Sequence, residues 1–285
     1  MPVQTRLLLG SLVDGATLTA SSAAAALPVT HLQDQFRTRV WRAAGCASEY
    51  VDLDFGQARA FNCLALVNHN LTAFGAISLA AGTLAGGDDL KNDTYPAWEP
   101  LFGFGEGGFG ETGYGGYLTP EEVAAYFPAG TLRVIYFDQV VARFWRVSLA
   151  DPGNPAGHVE AGRLLLDAYR SSGRGVSEGM ENAPRDPSSI TYSKGGQPWR
   201  DRQTKFREAS YRYDQVDPGE TWGTWYATVQ QLGVGVSFVG DFLAGLGILG
   251  GRLHNQLYCH LTEPAAVEVG ALCRGSLALS VRESR

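Results

Sequence analysis

Charge is scarce in this sequence. Only 18% of its 285 residues are Asp, Glu, Lys or Arg, and 29 acids against 23 bases leave a net charge of −6. Such a chain has no global positive field to draw in nucleic acid or an anionic membrane surface. Cysteine is sparse too: Cys46, Cys63, Cys259 and Cys273 lack the CxxC spacing of zinc or iron–sulfur sites and read as small buried apolar side chains. The P-loop string Gly-x-x-x-x-Gly-Lys-Ser/Thr is missing, so the lysine and hydroxyl that hold phosphate and magnesium have no counterpart. His31, His69, His158, His254 and His260 form no local catalytic signature. Near the start, "LLLGSLV" is too short to span a bilayer and no clear cleavage site accompanies it. These absences predict a soluble protein made in a reducing cytoplasm, with no catalytic residue, no cofactor and no metal site.

Glycine, at 36 residues, is abundant, and alternating patterns dominate, which together predict a turn-rich all-β chain. In "YVDLDFG", Val51, Leu53 and Phe55 share one face, while Asp52 and Asp54 share the solvent face. "FNCLALVNHN" is almost continuously apolar, as in a strand covered on both sides. "AISLAAG", "TLRVIYFDQ" and "ARFWRVSLADP" read as further strands, with Trp145, Val147 and Leu149 alternating with Arg146 and Ser148. Glycine, serine, proline and charge then replace periodicity, and residues 173–189 read as a linker. Beyond it, "TKFREASYRYDQV", "GVSFVGDF", "NQLYCHLTEP" and "LALSVRES" predict a smaller β barrel or sandwich. It carries one helix at about 218–232, with Asp217 as N-cap, Pro218 at the first position and Glu220 completing a capping box. Trp222, Trp225, Tyr226, Val229 and Leu232 form its expected buried stripe, and Gly233 its stop.

Three polar or aromatic features stand outside this pattern. Residues 101–117 hold eight glycines, with Phe104, Phe109, Tyr114 and Tyr117 among the rings between them. The preceding "NDTYPAWEP" is turn-like, and Glu106 and Glu111 would repel phosphate, so this run is no nucleotide loop. It reads as an insertion whose rings order against a partner. "PWRDRQTKFR" is the basic cluster, read as a protein interface or a solvated strand, with Trp199, Arg200 and Arg202 as the expected partner contacts. "NHN" at 68–70 reads as turn hydrogen bonding, with sugar or metal at a sandwich rim as the sharper option. Asp88 and Asp89 sit in a solvated loop, and no carboxylate pair can be nominated for glycoside hydrolysis.

Several strings resemble the galactose-binding-like, discoidin-like jelly rolls of bacteriophage tail proteins. They are "LPVTHLQD" with "VWRAAG", "YVDLDFG", "NCLALVNHNLT" with "AISLAAG", and "ARFWRVSLADPGNPAGHVEAGRLLL". In the last, Trp145 and Arg146 precede an Asp-Pro-x-Asn-Pro turn at 151–155 and a Gly-Arg-Leu strand at 162–164. The likeness spans about residues 17–169. It implies a jelly roll over 17–172, interrupted at 101–117. Trp41 and Trp145 would fill its centre, and Arg42 and Arg163 would meet carboxylates. Residues 190–285 are similar in arrangement to tail-tube and distal-tail barrels, and residues 1–16 supply an N-terminal strand that packs on this second domain. The resemblance implies a structural, non-enzymatic part of a tail tip or baseplate, made in the host cytoplasm and ending in the virion tail. It would form a homo-oligomeric ring and contact tail tube, hub and tape-measure proteins. The alternative is an adhesion module for a host surface glycan, with Trp98, Tyr114 and Tyr117 as stacking rings.

Overall fold

In the computed structural model, which describes residues 3–99, 123, 125–127, 130–246, 249–270 and 274–284, the alternating segments are antiparallel strands. The insertion at 101–117 and Cys273 lie outside the described residues. After β1 (Gln4–Leu8), the first unit contains β2 (Thr17–Ala20), β3 (Trp41–Arg42), β4 (Glu49–Val67), β5 (Ala76–Gly82), β6 (Lys91–Pro96), β7 (Leu132–Ala150), β8 (Glu160–Ala161) and β9 (Arg163–Asp167). The sheet order is β2-β4-β7-β5-β6, with β9 beside the second half of β4.

β4 and β7 are 19 residues each and pair along their whole length, with register shifts between Asp54 and Arg59 and between Phe61 and Cys63. Gly56, at φ 72°, supplies the left-handed backbone there. The ribbon folds back at this point. Phe137 and Trp145, both on β7, have ring centroids 5.8 Å apart. A straight strand would separate such positions by about 26 Å. One half of the ribbon pairs with β2 and β5, the other with β9, and both bury their inner faces in one core around Trp41 and Trp145. Both ribbon ends therefore emerge at the same end of the sandwich. On the outer face, Asp52 pairs with Arg146 (2.6 Å) and Asp54 with Arg143 (2.7 Å), as alternation requires. Arg42 meets Glu160 and Arg163 meets Asp14, so the expected arginine–carboxylate contacts form.

The second unit contains β10 (Arg170–Ser171), β11 (Glu181–Arg185), β12 (Ser189–Tyr192), β13 (Pro198–Asp201), β14 (Phe206–Val216), β15 (Phe238–Ala244), β16 (Gln256–Leu261), β17 (Val267–Val269) and β18 (Gly275–Glu283). Its eight-stranded sheet runs β10-β1-β15-β16-β18-β14-β11, with β17 on β18. The stretch read as a linker thus includes an edge strand, β11, paired to β14. Inside the sheet, Arg207 and Glu283 form a buried ion pair at 2.6 Å, and Arg207 also donates to the Leu253 and His254 carbonyls.

The helical stretch begins and ends near the expected positions, with two corrections. Asp217 does cap Gly219 N–H, but Glu220 turns away from the cap and accepts from Gly173 N–H and the Trp225 indole. The middle of the segment, Thr221–Tyr226, is a π turn between Pro218–Glu220 and Ala227–Leu232. Its wider winding shifts the buried line to Thr221, Trp225, Thr228 and Leu232, and leaves Trp222 at 54% exposure beside exposed Tyr226. The expected buried stripe is therefore split, with Trp225 and Leu232 in the core and Trp222 and Tyr226 in solvent.

β1 joins the units. Leu7 and Leu9 enter the second core while Leu8 enters the first, because adjacent strand residues point to opposite faces. Across the same junction the Tyr136 hydroxyl donates to Asp241 (3.0 Å), the Tyr258 hydroxyl to the Gln35 carbonyl (2.8 Å) and Arg37 to the Ser284 carbonyl (2.8 Å). Glu99 binds Arg133 of the first unit and Arg252 of the second. Burial would raise the Glu99 carboxyl, but the two guanidinium groups outweigh it and hold the pKa below the usual value. Gly10, at φ +69°, turns the chain after β1 where a Cβ would sit 2.2 Å from the Leu165 side chain.

Removing the ring at the fold-back tests this account. Trp145→Ala should cost about 3–5 kcal/mol in chemical denaturation, whereas Trp199→Ala, on an exposed hairpin, should stay within about 0.5 kcal/mol. Equal losses would contradict the placement of the core.

Candidate functional site

Because the ribbon folds back, the loops at 68–75 and 151–159 share the open end of the sandwich with Trp98 and Thr131. Asn68 closes β4 in the left-handed region (φ 54°), a conformation asparagine tolerates, and its side chain donates to the Arg37 carbonyl. The following carbonyls are all engaged: His69 O accepts from Thr131 Oγ1 (2.6 Å), Asn70 O from Asn154 Nδ2 (3.0 Å) and Leu71 O from the Trp98 indole (2.9 Å). Asn70 bridges to the third loop, donating to the His158 carbonyl and accepting from Glu160 N–H. Buried Asp151, first residue of the Asp-Pro-x-Asn-Pro turn, accepts from both the backbone N–H (2.7 Å) and hydroxyl (2.9 Å) of Thr72. The asparagines and Asp151 are thus braces. They hold the loop in one shape, and Asn70 also lines the cavity the loop encloses.

These braces frame a cavity of about 510 Å³, lined by His69, Leu71, Thr72, Trp98 and Thr131 among others, with Phe74 at its lip. Phe74 is 81% exposed at the loop tip. His69 lies in the wall, its ring 5.0 Å from Trp98, and neither ring nitrogen has a hydrogen-bond partner among the described residues. Burial, with a smaller push from the Arg133 charge, lowers its pKa to about 3, so the imidazole is neutral at ordinary pH and offers one donor and one acceptor. No Lys, Arg, Asp or Glu lines the cavity among the described residues. A neutral ligand with an apolar face and a few hydroxyls suits that lining.

The residues singled out in the sequence fare differently. Trp98 is in the cavity, but it is buried with its indole bonded to Leu71, so it forms a wall and presents no open stacking face. Phe104, Phe109, Tyr114 and Tyr117 lie outside the described residues. Trp199, Arg200 and Arg202 lie far along the chain from this end, on or just after the β12–β13 hairpin, where every strand residue is exposed. Phe74 and the unpaired His69 ring were not separated from their neighbours by the sequence. The signal available was one aromatic between Ala73 and Gly75 in a turn joining two apolar strands.

The chain has one Gly-x-Ser-x-Gly spacing, residues 175–179. It precedes β11 instead of joining a strand to a helix, and Ser177 Oγ accepts from Asp214 N–H at 2.8 Å, so it is a brace and no nucleophile elbow. Among the described residues no group of three or more His, Cys, Asp or Glu is placed to hold a metal ion, and no helix is long and apolar enough to cross a membrane.

No protein-family model matches the chain, and no curated protein matches it in sequence. Among solved structures it is similar to chitosan-binding module 1 of a chitosanase/glucanase from Paenibacillus sp. IK-5, at 18% identity and a TM-score of 0.37, over 55% of this chain and 97% of that one. It is also similar to the family 32 CBM of C. perfringens NanJ, solved in complex with galactose, at 14% identity and a TM-score of 0.34, over 59% and 99%. At these scores the all-β architecture of the chain stands on its own strand order and register.

His69 gives the site a pH signature. The unfolded chain takes up its proton near pH 6.5, whereas the folded chain resists until about pH 3. Stability should therefore be unaffected above that window and fall as pH drops through it, by on the order of 2 kcal/mol at about pH 4.5. His69→Leu should flatten that part of the curve in urea denaturation at stepped pH. An unchanged slope would contradict a buried neutral imidazole.

Proposed function

We propose that the chain is a non-catalytic glycan-binding protein whose first unit holds a neutral saccharide at the open end of its sandwich. The observation that carries the reading is the braced cavity with Phe74 exposed at its lip and the unpaired His69 ring in its wall. A sugar ring presents an axial C–H face that lies against an aromatic ring, and hydroxyls that both donate and accept. Phe74 supplies the first contact, and the polar wall groups, among them the Thr72 and Thr131 hydroxyls, supply the second. Three bonded carbonyls and the Asp151–Thr72 clamp keep the loop preorganised, so little ordering is lost on binding. An uncharged lining disfavours phosphate and other small anions. A glycan array, followed by calorimetry with chitotriose and GalNAc-β-1,3-galactose, tests this. Phe74→Ala should weaken the best ligand about tenfold, or roughly 1.4 kcal/mol. Unchanged affinity in that variant would contradict the site.

A second reading, a structural component of a phage tail assembled from copies of this chain, is favoured by the β12–β13 hairpin. Among the described residues its strands pair only with each other, through Ile190 with Arg200 and Thr191 with Trp199. Trp199 is 74% exposed and Tyr192 71%. A lone two-stranded hairpin is marginal in water, and one carrying bare aromatics suits docking on another subunit. With Arg200 and Arg202 it would present positive charge to a chain of net charge −6. Deleting residues 189–201 should leave the thermal midpoint within a few degrees and abolish oligomers in light scattering. A wild-type chain that stays monomeric at high concentration would end this reading.

A further inference from the structure

A second cavity, of about 620 Å³, lies at the junction of the two units. The first unit contributes Gln35 and Phe36, from the turn after the 3-10 segment Val29–Gln33. The second contributes Ser237, His260 and Ser284. Three polar groups are strung together there. His260 Nδ1 lies 3.0 Å from Ser284 Oγ, which lies 3.0 Å from Ser237 Oγ. Both serines are largely buried, while Phe36 is 63% exposed. Gln35 accepts Ser237 N–H at 3.3 Å through its carbonyl oxygen, leaving the amide NH₂ as a donor toward the cavity.

Charge narrows the occupant. The one carboxylate in the lining, Asp34, is already paired with Arg39 at 2.8 Å and accepts Phe36 N–H, and no Lys or Arg lines the cavity among the described residues. His260 is held toward its neutral form, first by burial and second by the nearby Arg282 charge. The site therefore offers hydroxyl, amide and imidazole groups with one open aromatic ring and no uncompensated charge. An aliphatic ligand would strand the polar groups and an anion would find no cation. Among the described residues the Ser284–His260 contact has no carboxylate bonded to the far side of the ring, as a hydrolytic role would need, so binding is the chemistry the groups support.

We infer that the junction cavity is a second saccharide site, taking a neutral sugar ring stacked on Phe36 and hydrogen-bonded by Gln35, Ser237, Ser284 and His260. It stands on residues separate from the open-end site. Two sites on one rigid chain would let a single molecule engage two sugar units of one glycan or bridge two glycans, raising avidity without new contacts.

The test is calorimetry of the full chain with chitotriose and with GalNAc-β-1,3-galactose, together with the NMR shifts of the His260 ring protons in the unmutated protein. At least one saccharide should bind with two sites per chain and shift the His260 signals. Phe36→Ala and His260→Ala should each weaken one site about tenfold and leave the other, and Phe74→Ala should do the reverse. Phe36→Ala removes an exposed side chain, so folding should persist, and the His260 shifts need no variant. Static His260 signals at saturation, affinity and stoichiometry unchanged in both junction variants, or no binding of either saccharide would overturn the inference. If Phe74→Ala has no effect while Phe36→Ala abolishes binding, the open-end site fails and the junction site stands.

Discussion

The fold-back of the paired β4–β7 ribbon is the constraint on which the rest of this structure depends. Two 19-residue strands cannot stay straight in a domain this size, and the register shifts around Gly56 give them a place to bend. The bend brings Phe61 and Phe137 against Trp145, closing the core at one end. It also sends both ribbon ends out together at the other. Loops far apart in sequence, such as those of Thr72 and Asp151, thereby become hydrogen-bonded neighbours. The open-end cavity is a consequence of that geometry before any functional residue is considered.

A second constraint is the attachment of the two units. β1 donates alternate leucines to two cores, and Tyr136, Tyr258, Arg37 and Glu99 add polar contacts across the seam. Such a seam resists the domain motion expected across a small polar interface. Rigidity gives the cavity between the units fixed walls. The helical stretch at 218–232 shows the opposite economy: its π turn turns two rings of an apparent core stripe to solvent, so local pattern and final packing disagree.

Much of the architecture was legible because strands write their burial into a two-residue period. Val51 and Leu53 against Asp52 and Asp54, and Trp145, Val147 and Leu149 against Arg146, could be assigned to faces from spacing alone. Trp41 and Trp145 were likewise readable as core. The site was less legible. "NHN" marks its rim, yet two of its three residues brace the loop and the third, His69, is distinguished by ring nitrogens that lack partners among the described residues, which no spacing encodes. Phe74 is defined by exposure at a tip, and Phe36 by standing opposite Ser237, His260 and Ser284, more than two hundred positions away. Long-range adjacency of this kind comes from topology. The β11 strand was hidden for a related reason: as an edge strand containing Pro184 it has little alternation to display.

The central claim is that the open end of the sandwich is a preformed saccharide-binding surface. Amide hydrogen exchange, with and without saturating chitotriose or GalNAc-β-1,3-galactose, addresses it most directly. The account predicts added protection at 69–74 and 153–154, with the bend around Gly56 unchanged. Saccharide binding that leaves those amides exchanging as before, or no protection anywhere with either saccharide, would contradict it.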